Sequence, residues 1–165
     1  MILAIDVHYK TNYAKCIGVL FQWNDELPQK IIEDRVYNVA EYEPGQFYKR
    51  ELPCILKIIE HVDLENVEVI IVDGHVYTSP ETYGLGGHLF EAINHKVPVI
   101  GVAKNGFAHN KTMVRELFRG DSQKPLHISA IGINLQDAIE NIKQMHGTYR
   151  MPTLLKILDQ YTKTD

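Results

Sequence analysis

The sequence predicts an α/β fold: a mixed central sheet flanked by helices, with an antiparallel β-meander first and βα units after it. Three observations predict this. Three β-rich segments follow one another ahead of Pro44, with no helical period between them. Two later runs, Val67 to Val72 and Val97 to Ala103, are near-continuously apolar, as strands buried on both faces are. Segments with helical spacing stand between and after those runs.

Each element has its own warrant. Met1 to His8 is short, apolar and β-rich and contains Asp6-Val7-His8 at its end. Lys10-Thr11-Asn12 reads as a turn into a second strand, Tyr13 to Phe21. Lys30 to Val39 alternates in part, with Ile32, Val36 and Val39 apolar, and reads as a third strand. Pro44-Gly45 breaks the chain. Phe47 to Val62 is predicted helical, because Ile55, Ile58, Ile59 and Val62 fall at i, i+3, i+4 and i+7. Pro53 inside it reads as a local flaw or a first-turn boundary. The strand Val67 to Val72 ends at Asp73-Gly74, and Gly84 to Asn94 follows as a helix before the strand Val97 to Ala103. Residues 105–126 are irregular, with room for a short hairpin or helix, and Leu126 to Ile131 is a last short strand. Asn134-Leu135-Gln136-Asp137 is an N-cap with an acid three residues on, opening a helix to about Met145. Pro152 in a first turn opens a final helix to about Tyr161. The order βββαβαβ, a short β, then αα is the ribonuclease-H-like plan; pattern alone also suits other three-layer α/β folds.

Composition sets the class. At 165 residues, without repeats or a Pro/Gly/Ser-rich linker, the chain is expected to be one domain, 1–165. Hydrophobic content of 45% against 23% charged excludes a disordered chain. No signal peptide or membrane span is expected. Cys16 and Cys54 have no metal-like spacing and read as free thiols, so a reducing, cytoplasmic setting is expected. The net charge of −4 is unevenly spread: residues 1–100 carry 8 Lys/Arg against 15 Asp/Glu, and residues 101–165 carry 9 against 6. An acidic centre that collects a divalent cation, beside a basic flank that meets phosphate, produces such an asymmetry, and so does random surface charge.

In an open α/β sheet, functional groups gather at the carboxyl ends of central strands. Asp6 and Asp73 are expected there, facing one another if their strands are neighbours, with Glu51 reaching the same point from the first helix. Three carboxylates so close repel one another unless a cation neutralises them, and oxygen ligands favour Mg²⁺, or Mn²⁺, over zinc. That chemistry suits phosphodiester hydrolysis. Lys104, after the strand Val97 to Ala103, projects toward the same edge, where it would offset phosphoryl charge. Each residue also has an ordinary reading: Asp73-Gly74 as a turn, Asp6 as a loop anchor, Glu51 and Lys104 as solvated surface groups.

A longer pattern weighs against the ordinary readings. Ala4-Ile5-Asp6-Val7, Tyr42-x-Pro44-Gly45-x-Phe47-x-x-Arg50-Glu51, Val72-Asp73-Gly74, Gly84-Leu85-x-x-His88-Leu89, Pro98-x-Ile100-Gly101-Val102-Ala103-Lys104 and Tyr149-Arg150-x-Pro152 occur in this order. Together they resemble the endonuclease V family, over about residues 2–161. The Arg-Glu and Ile-Gly-Val-Ala-Lys segments are the specific ones. The resemblance implies a Mg²⁺-dependent endonuclease that cuts DNA or RNA on the 3′ side of inosine. It also implies Asp6, Glu51 and Asp73 as metal ligands and Lys104 as a phosphate-side helper. By the same resemblance Tyr42 and Pro44 belong to a strand-separating wedge, while Gly45 and Gly74 line the pocket for the displaced base, where glycines allow close backbone approach.

The sequence also departs from the family. Members carry a helical segment ahead of the first strand, and the sequence here starts at that strand. Their Ser-Pro-Gly-His segment appears as Ser129-Ala130-Ile131-Gly132, without its histidine, and their His-Pro-Arg as Ser79-Pro80-Glu81. Glu41 and Glu43 flank Tyr42 in the wedge. His75 and His127 are the substitutes for the missing histidine, although His75 is expected at solvent and His127 packed in its strand. His88 is expected to make a core contact and Asn134 to cap a helix. These departures keep two alternatives open: a cleavage-impaired nucleic-acid-binding relative, and a metal-dependent phosphoesterase of the same fold.

Overall fold

The computed structural model describes residues 1–44 and 46–165. β1 (Ile2–Tyr9) and β2 (Tyr13–Phe21) form an antiparallel hairpin, closed where the Lys10 amide donates to the Tyr13 carbonyl at 2.8 Å. β3 (Lys30–Tyr37) adds antiparallel to β2. After α1 (Phe47–Ile59) the chain returns through β4 (Val69–Asp73), parallel to β1. A small hairpin, β5 (Tyr77–Ser79) and β6 (Thr82–Tyr83), leads into α2 (Leu85–Ala92) and then β7 (Val99–Ala103), parallel to β4. β8 (Arg115–Leu117) and β9 (Leu126–Ile131) extend the sheet antiparallel beyond β7, and α3 (Leu135–Gln144) and α4 (Thr153–Lys163) end the chain. The main sheet runs β3-β2-β1-β4-β7-β9-β8. An antiparallel meander feeding parallel crossovers is the ribonuclease-H-like plan that the element order predicts.

The period of two along each strand sorts the core into two layers. Ile2, Ala4, Val69, Ile71, Ile100 and Val102 face one side, where Ala138 and Ile142 of α3 and Leu154, Leu155 and Leu158 of α4 cover them. Leu3, Ile5, Ile70, Val72 and Val99 face the other, under Cys54, Ile55 and Ile58 of α1 and Leu85 and Leu89 of α2. Gly18 in β2 lets α1 settle close to the sheet: a Cβ there would meet Ile58 Cγ2 at 2.6 Å. Cys16 and Cys54, distant in sequence, are both free and buried in this second layer.

On the opposite face the end of α4 is tied to the hairpin. Lys15, only 2% exposed, sends Nζ to the Thr164 carbonyl at 2.8 Å, and Lys10 Nζ donates to the Lys163 carbonyl at 3.1 Å. Two ammonium groups thus meet the carbonyl end of the helix, where its dipole favours positive charge.

Several boundaries differ from the sequence reading. The third strand stops at Tyr37, because Asn38 turns with φ 57°. α1 runs through Pro53, which forgoes one hydrogen bond to the Lys49 carbonyl, and stops at Ile59 rather than Val62. Pro152 caps α4 from outside with extended ψ instead of opening its first turn. The irregular stretch 105–126 contains a 3₁₀ segment, Ala108–Met113, and the edge strand β8. Among the described residues no helix is long and apolar enough to cross a membrane.

Candidate active site

The pairing of β1 with β4 ends at Ile5 and Val72. Asp6 and Asp73 are the next residue on each strand. Both continue the alternation of Ala4 and Ile71, so both turn toward the α4 layer at the same end of the sheet. β1 itself continues to Tyr9 against β2, so Asp6 lies inside its strand rather than at the terminus. Glu51 approaches from the opposite layer, on the second turn of α1, and is 8% exposed.

Two small cavities straddle this pair of aspartates. One, of about 50 Å³, is walled by Asp6, Asp73 and Glu51 with Phe47 and Leu85. The other, of about 30 Å³, is walled by Asp6, Asp73, Lys104 and Asp159 with Leu155 and Leu158 of α4. The structure thus brings Asp6, Glu51 and Asp73 to one cavity wall, and Asp6, Asp73 and Lys104 to the other. No three His, Cys, Asp or Glu side chains among the described residues already stand at the spacing of a metal cluster. The three carboxylates share a cavity wall, and a common ion needs side-chain adjustment.

Burial first, then the neighbouring acids, disfavour charge here. Asp6 is pushed up to about 7 by burial and by Asp73, against the Val7 amide that donates to its Oδ1 at 2.9 Å. Glu51 is pushed up to about 8, chiefly by burial, with Asp6 and Asp73 adding to it. Asp73 keeps an exposed edge, yet the protein packed around its carboxyl still raises its pKa, which Lys104 partly offsets. Among the described residues none of the three forms an ion pair. Arg50, next to Glu51 in the chain, instead lays its guanidinium 3.5 Å over the Tyr9 ring. Clustered, uncompensated carboxylates with oxygen-only donors suit a hard divalent cation.

Asp159 is the site residue that the sequence reading missed. It lies on α4 four residues after Leu155, so the same helix face that enters the core brings it to the cavity. It raises the pKa of both Asp6 and Asp73, and Lys163 holds it at 2.9 Å. Thr162 lies beside it: its Oγ1 donates to the Asp159 carbonyl at 2.7 Å and stands 3.5 Å from Asp6 Oδ2. The apolar stripe of the last helix was the available signal, since Asp159 interrupts it.

The other predicted residues are placed less centrally. Tyr42 and Pro44 are exposed on the segment leading into α1, with Tyr42 at the rim of a cavity shared with Tyr9 and Arg50. Gly45 lies outside the described residues. Gly74 follows β4 directly, half-buried, its amide donating to Val102 at 3.1 Å. His75 is not at solvent as expected. Its Nε2 donates to the Asn105 carbonyl at 3.0 Å and its Nδ1 accepts from Asn110 at 3.1 Å, so both ring nitrogens are occupied. Burial lowers its pKa, partly against the hydrogen bond to the Asn105 carbonyl. His127 is half-buried in β9, opposite Ala103. His88 stacks on Tyr48 at 3.6 Å, and Asn134 caps α3 by accepting from the Gln136 amide at 2.8 Å. Ser129, where the family motif begins, is consumed structurally: its Oγ accepts from the Val76 amide at 2.9 Å.

The sequence model of the family described as Endonuclease V matches residues 1–127 of this chain. The chain belongs to the endonuclease V family. The Endonuclease V of Pyrococcus abyssi is 32% identical over 172 residues, covering 98% of this chain and 78% of that protein. The Ciona intestinalis Endonuclease V, solved in complex with a 24mer DNA containing an inosine followed by a ribo-adenosine, superposes with a TM-score of 0.83. That pair is 17% identical and covers 98% of this chain and 84% of the other. Human endonuclease V gives a TM-score of 0.78 at 20% identity, covering 98% and 82%. The structural likenesses establish the ribonuclease-H-like fold, and family membership makes the chain a nuclease acting on nucleic acid.

Proposed function

We propose that this endonuclease V homologue is a metal-dependent endonuclease that hydrolyses phosphodiester bonds in inosine-containing DNA or RNA. Asp6, Glu51 and Asp73 hold Mg²⁺, for which Mn²⁺ can substitute. One observation carries the reading: acids from both sides of the sheet wall one cavity, with raised pKa values and, among the described residues, no cation paired to them. Keeping such acids charged side by side is costly; a bound cation offsets that cost, as protonation does in its absence. When bound, the ion supplies Lewis acidity toward the phosphate.

The chain's own residues do the rest. Lys104, at the mouth of the second cavity, holds a phosphate oxygen and offsets its charge. Asp159 sets the field around Asp6 and Asp73 from the α4 side. Tyr42 and Pro44 enter the duplex beside the lesion, and Gly45 and Gly74 give the displaced hypoxanthine a wall of backbone. Support for inosine comes from the family and from the Ciona protein, which was solved on inosine-containing DNA.

A second reading has one observation in its favour. His75, one of the two candidate substitutes for the family's histidine, has both ring nitrogens already bonded. A chain that binds without cutting efficiently would fit that loss. Incubating an end-labelled inosine strand with Mg²⁺, with Mn²⁺ and with EDTA separates the readings. Cleavage on the 3′ side of inosine with either metal and none in EDTA is expected. Retained binding with no cut under either metal would leave the second reading standing.

A further inference from the structure

Beyond the acidic cavities, a larger cleft of about 570 Å³ opens from Lys104 and Asp159 toward the loop that precedes α4. Its outer wall is Tyr149, 71% exposed, with Lys156 Nζ 5.4 Å from the ring centroid. An aromatic ring so exposed buries little surface of its own. Its backbone is nevertheless held by several side-chain hydrogen bonds.

Arg119 is 5% exposed and has no carboxylate partner among the described residues. Its guanidinium instead donates to four carbonyls of the loop: Tyr149 at 2.6 Å, Met145 at 2.8 Å, Gly147 at 3.1 Å and Arg150 at 3.3 Å. Gly120 beside it takes φ +59°, and a Cβ there would meet the Thr148 carbonyl at 2.1 Å, so the loop lies directly on this backbone. Arg150 then ties the loop to the edge of the catalytic sheet, donating to the carbonyls of Lys104 and Pro125. A buried cation spent on carbonyls alone fixes the position of a ring that packs against little.

We propose that Tyr149 is a stacking platform for one nucleobase of the strand being cut, flanking the phosphate at Lys104, with Lys156 pairing to the adjoining phosphate. The cleft is of nucleotide size, continuous with the site, and combines an exposed aromatic face with cations. Stacking needs no base identity, so the platform adds affinity and register rather than lesion choice. Asp121 and Asp159 also line the cleft and limit how many phosphates it takes. The inference rests on the reading that the chain binds nucleic acid, and deepens it.

The test is binding of a fluorescent single-stranded oligonucleotide in EDTA, so that nothing is cut, followed by anisotropy. Tyr149→Ala is expected to weaken binding about 5- to 100-fold, and Tyr149→Phe to stay near the parent. Replacing bases by abasic sites one position at a time should reveal a single flanking position where the parent loses affinity and Tyr149→Ala loses nothing more. Lys156→Gln should reduce the slope of log Kd against log salt by about one ion, while Tyr149→Ala leaves the slope unchanged. A parent that does not bind oligonucleotide at all would overturn the nucleic-acid reading itself. A parent that binds, with Tyr149→Ala equal to it or with no abasic position coupled to Tyr149, overturns the platform alone. Because the side chain is exposed, an unchanged melting temperature confirms that the Ala variant is folded.

Discussion

Tyr42 and Tyr149 stand 57% and 71% exposed, on the segments that lead into α1 and α4, the helices that bring Glu51 and Asp159 to the sheet. The segment before α4 is held by six hydrogen bonds from Arg119 and Arg150. The segment before α1 packs Val39 against the second core layer and closes a turn from Gln46 to Glu43 at 2.9 Å, beside an exposed Lys49–Glu43 pair at 3.8 Å, and among the described residues no buried side chain donates to its carbonyls as Arg119 does for the other. Exposed ion pairs contribute at most about 1 kcal/mol. The comparison teaches where ordering entropy is met: for Tyr149 during folding, for Tyr42 during binding. A platform benefits from being in place beforehand, and a wedge that must separate paired strands benefits from freedom to enter.

The largest expected effect bears on whether either tyrosine serves chemistry at all. Asp73→Asn should reduce cleavage by at least about 100-fold, more than loss of an outer partner of a metal ligand costs, with the melting temperature kept or raised. Cleavage at the parent rate would separate both tyrosines from a site at Asp73. Next, Arg119→Met keeps volume but orphans four carbonyls, that of Met145 buried and the other three half-buried, and should cost about 3 kcal/mol, read as a melting temperature about 6–12 °C lower. It should also bring oligonucleotide affinity down to that of Tyr149→Ala; parent-like affinity would mean that the bracing does not serve the ring.

A smaller effect follows from the acids. Asp6 and Glu51 are raised to about 7 and about 8, so the folded protein holds protons that the unfolded chain releases near pH 4. Stability of the metal-free protein should therefore fall as pH climbs from 5 to 8, and Asp6→Asn should flatten that fall. Thermal melts across this range in EDTA read it directly, and stability that rises instead contradicts the burial of these groups. The smallest effect is dynamic. Backbone order parameters should lie near about 0.85 at Tyr149 and below about 0.6 at Tyr42. Equal values would dissolve the comparison.

Much of this site was legible because it follows strand periodicity. Asp6 and Asp73 each follow a continuous apolar run, Ile2–Ile5 and Val69–Val72, and the parallel register that aligns them follows from the βα order. Lys104 follows the same logic one strand over. Asp159 was not legible that way, because helix position depends on how α4 is rotated, and Lys15 and Leu155 decide that through tertiary contact. His75 was misread because its partners, Asn105 and Asn110, come from a stretch with no periodicity. β5, β6 and β8 are two or three residues long, too short for alternation to show. The role of Arg119 was invisible for a different reason: its partners are backbone carbonyls, which carry no sequence signature.

Gly18 has a consequence at a distance. Its absent methyl group lets Ile58 rest on the second strand, and Glu51 rides the same rigid helix seven residues earlier, about 10 Å along its axis. Adding one carbon there would tilt the helix about its far end and swing the carboxylate relative to the two aspartates. The bite of the acidic pocket is thus adjustable from the middle of the sheet, by a residue that touches neither ion nor substrate.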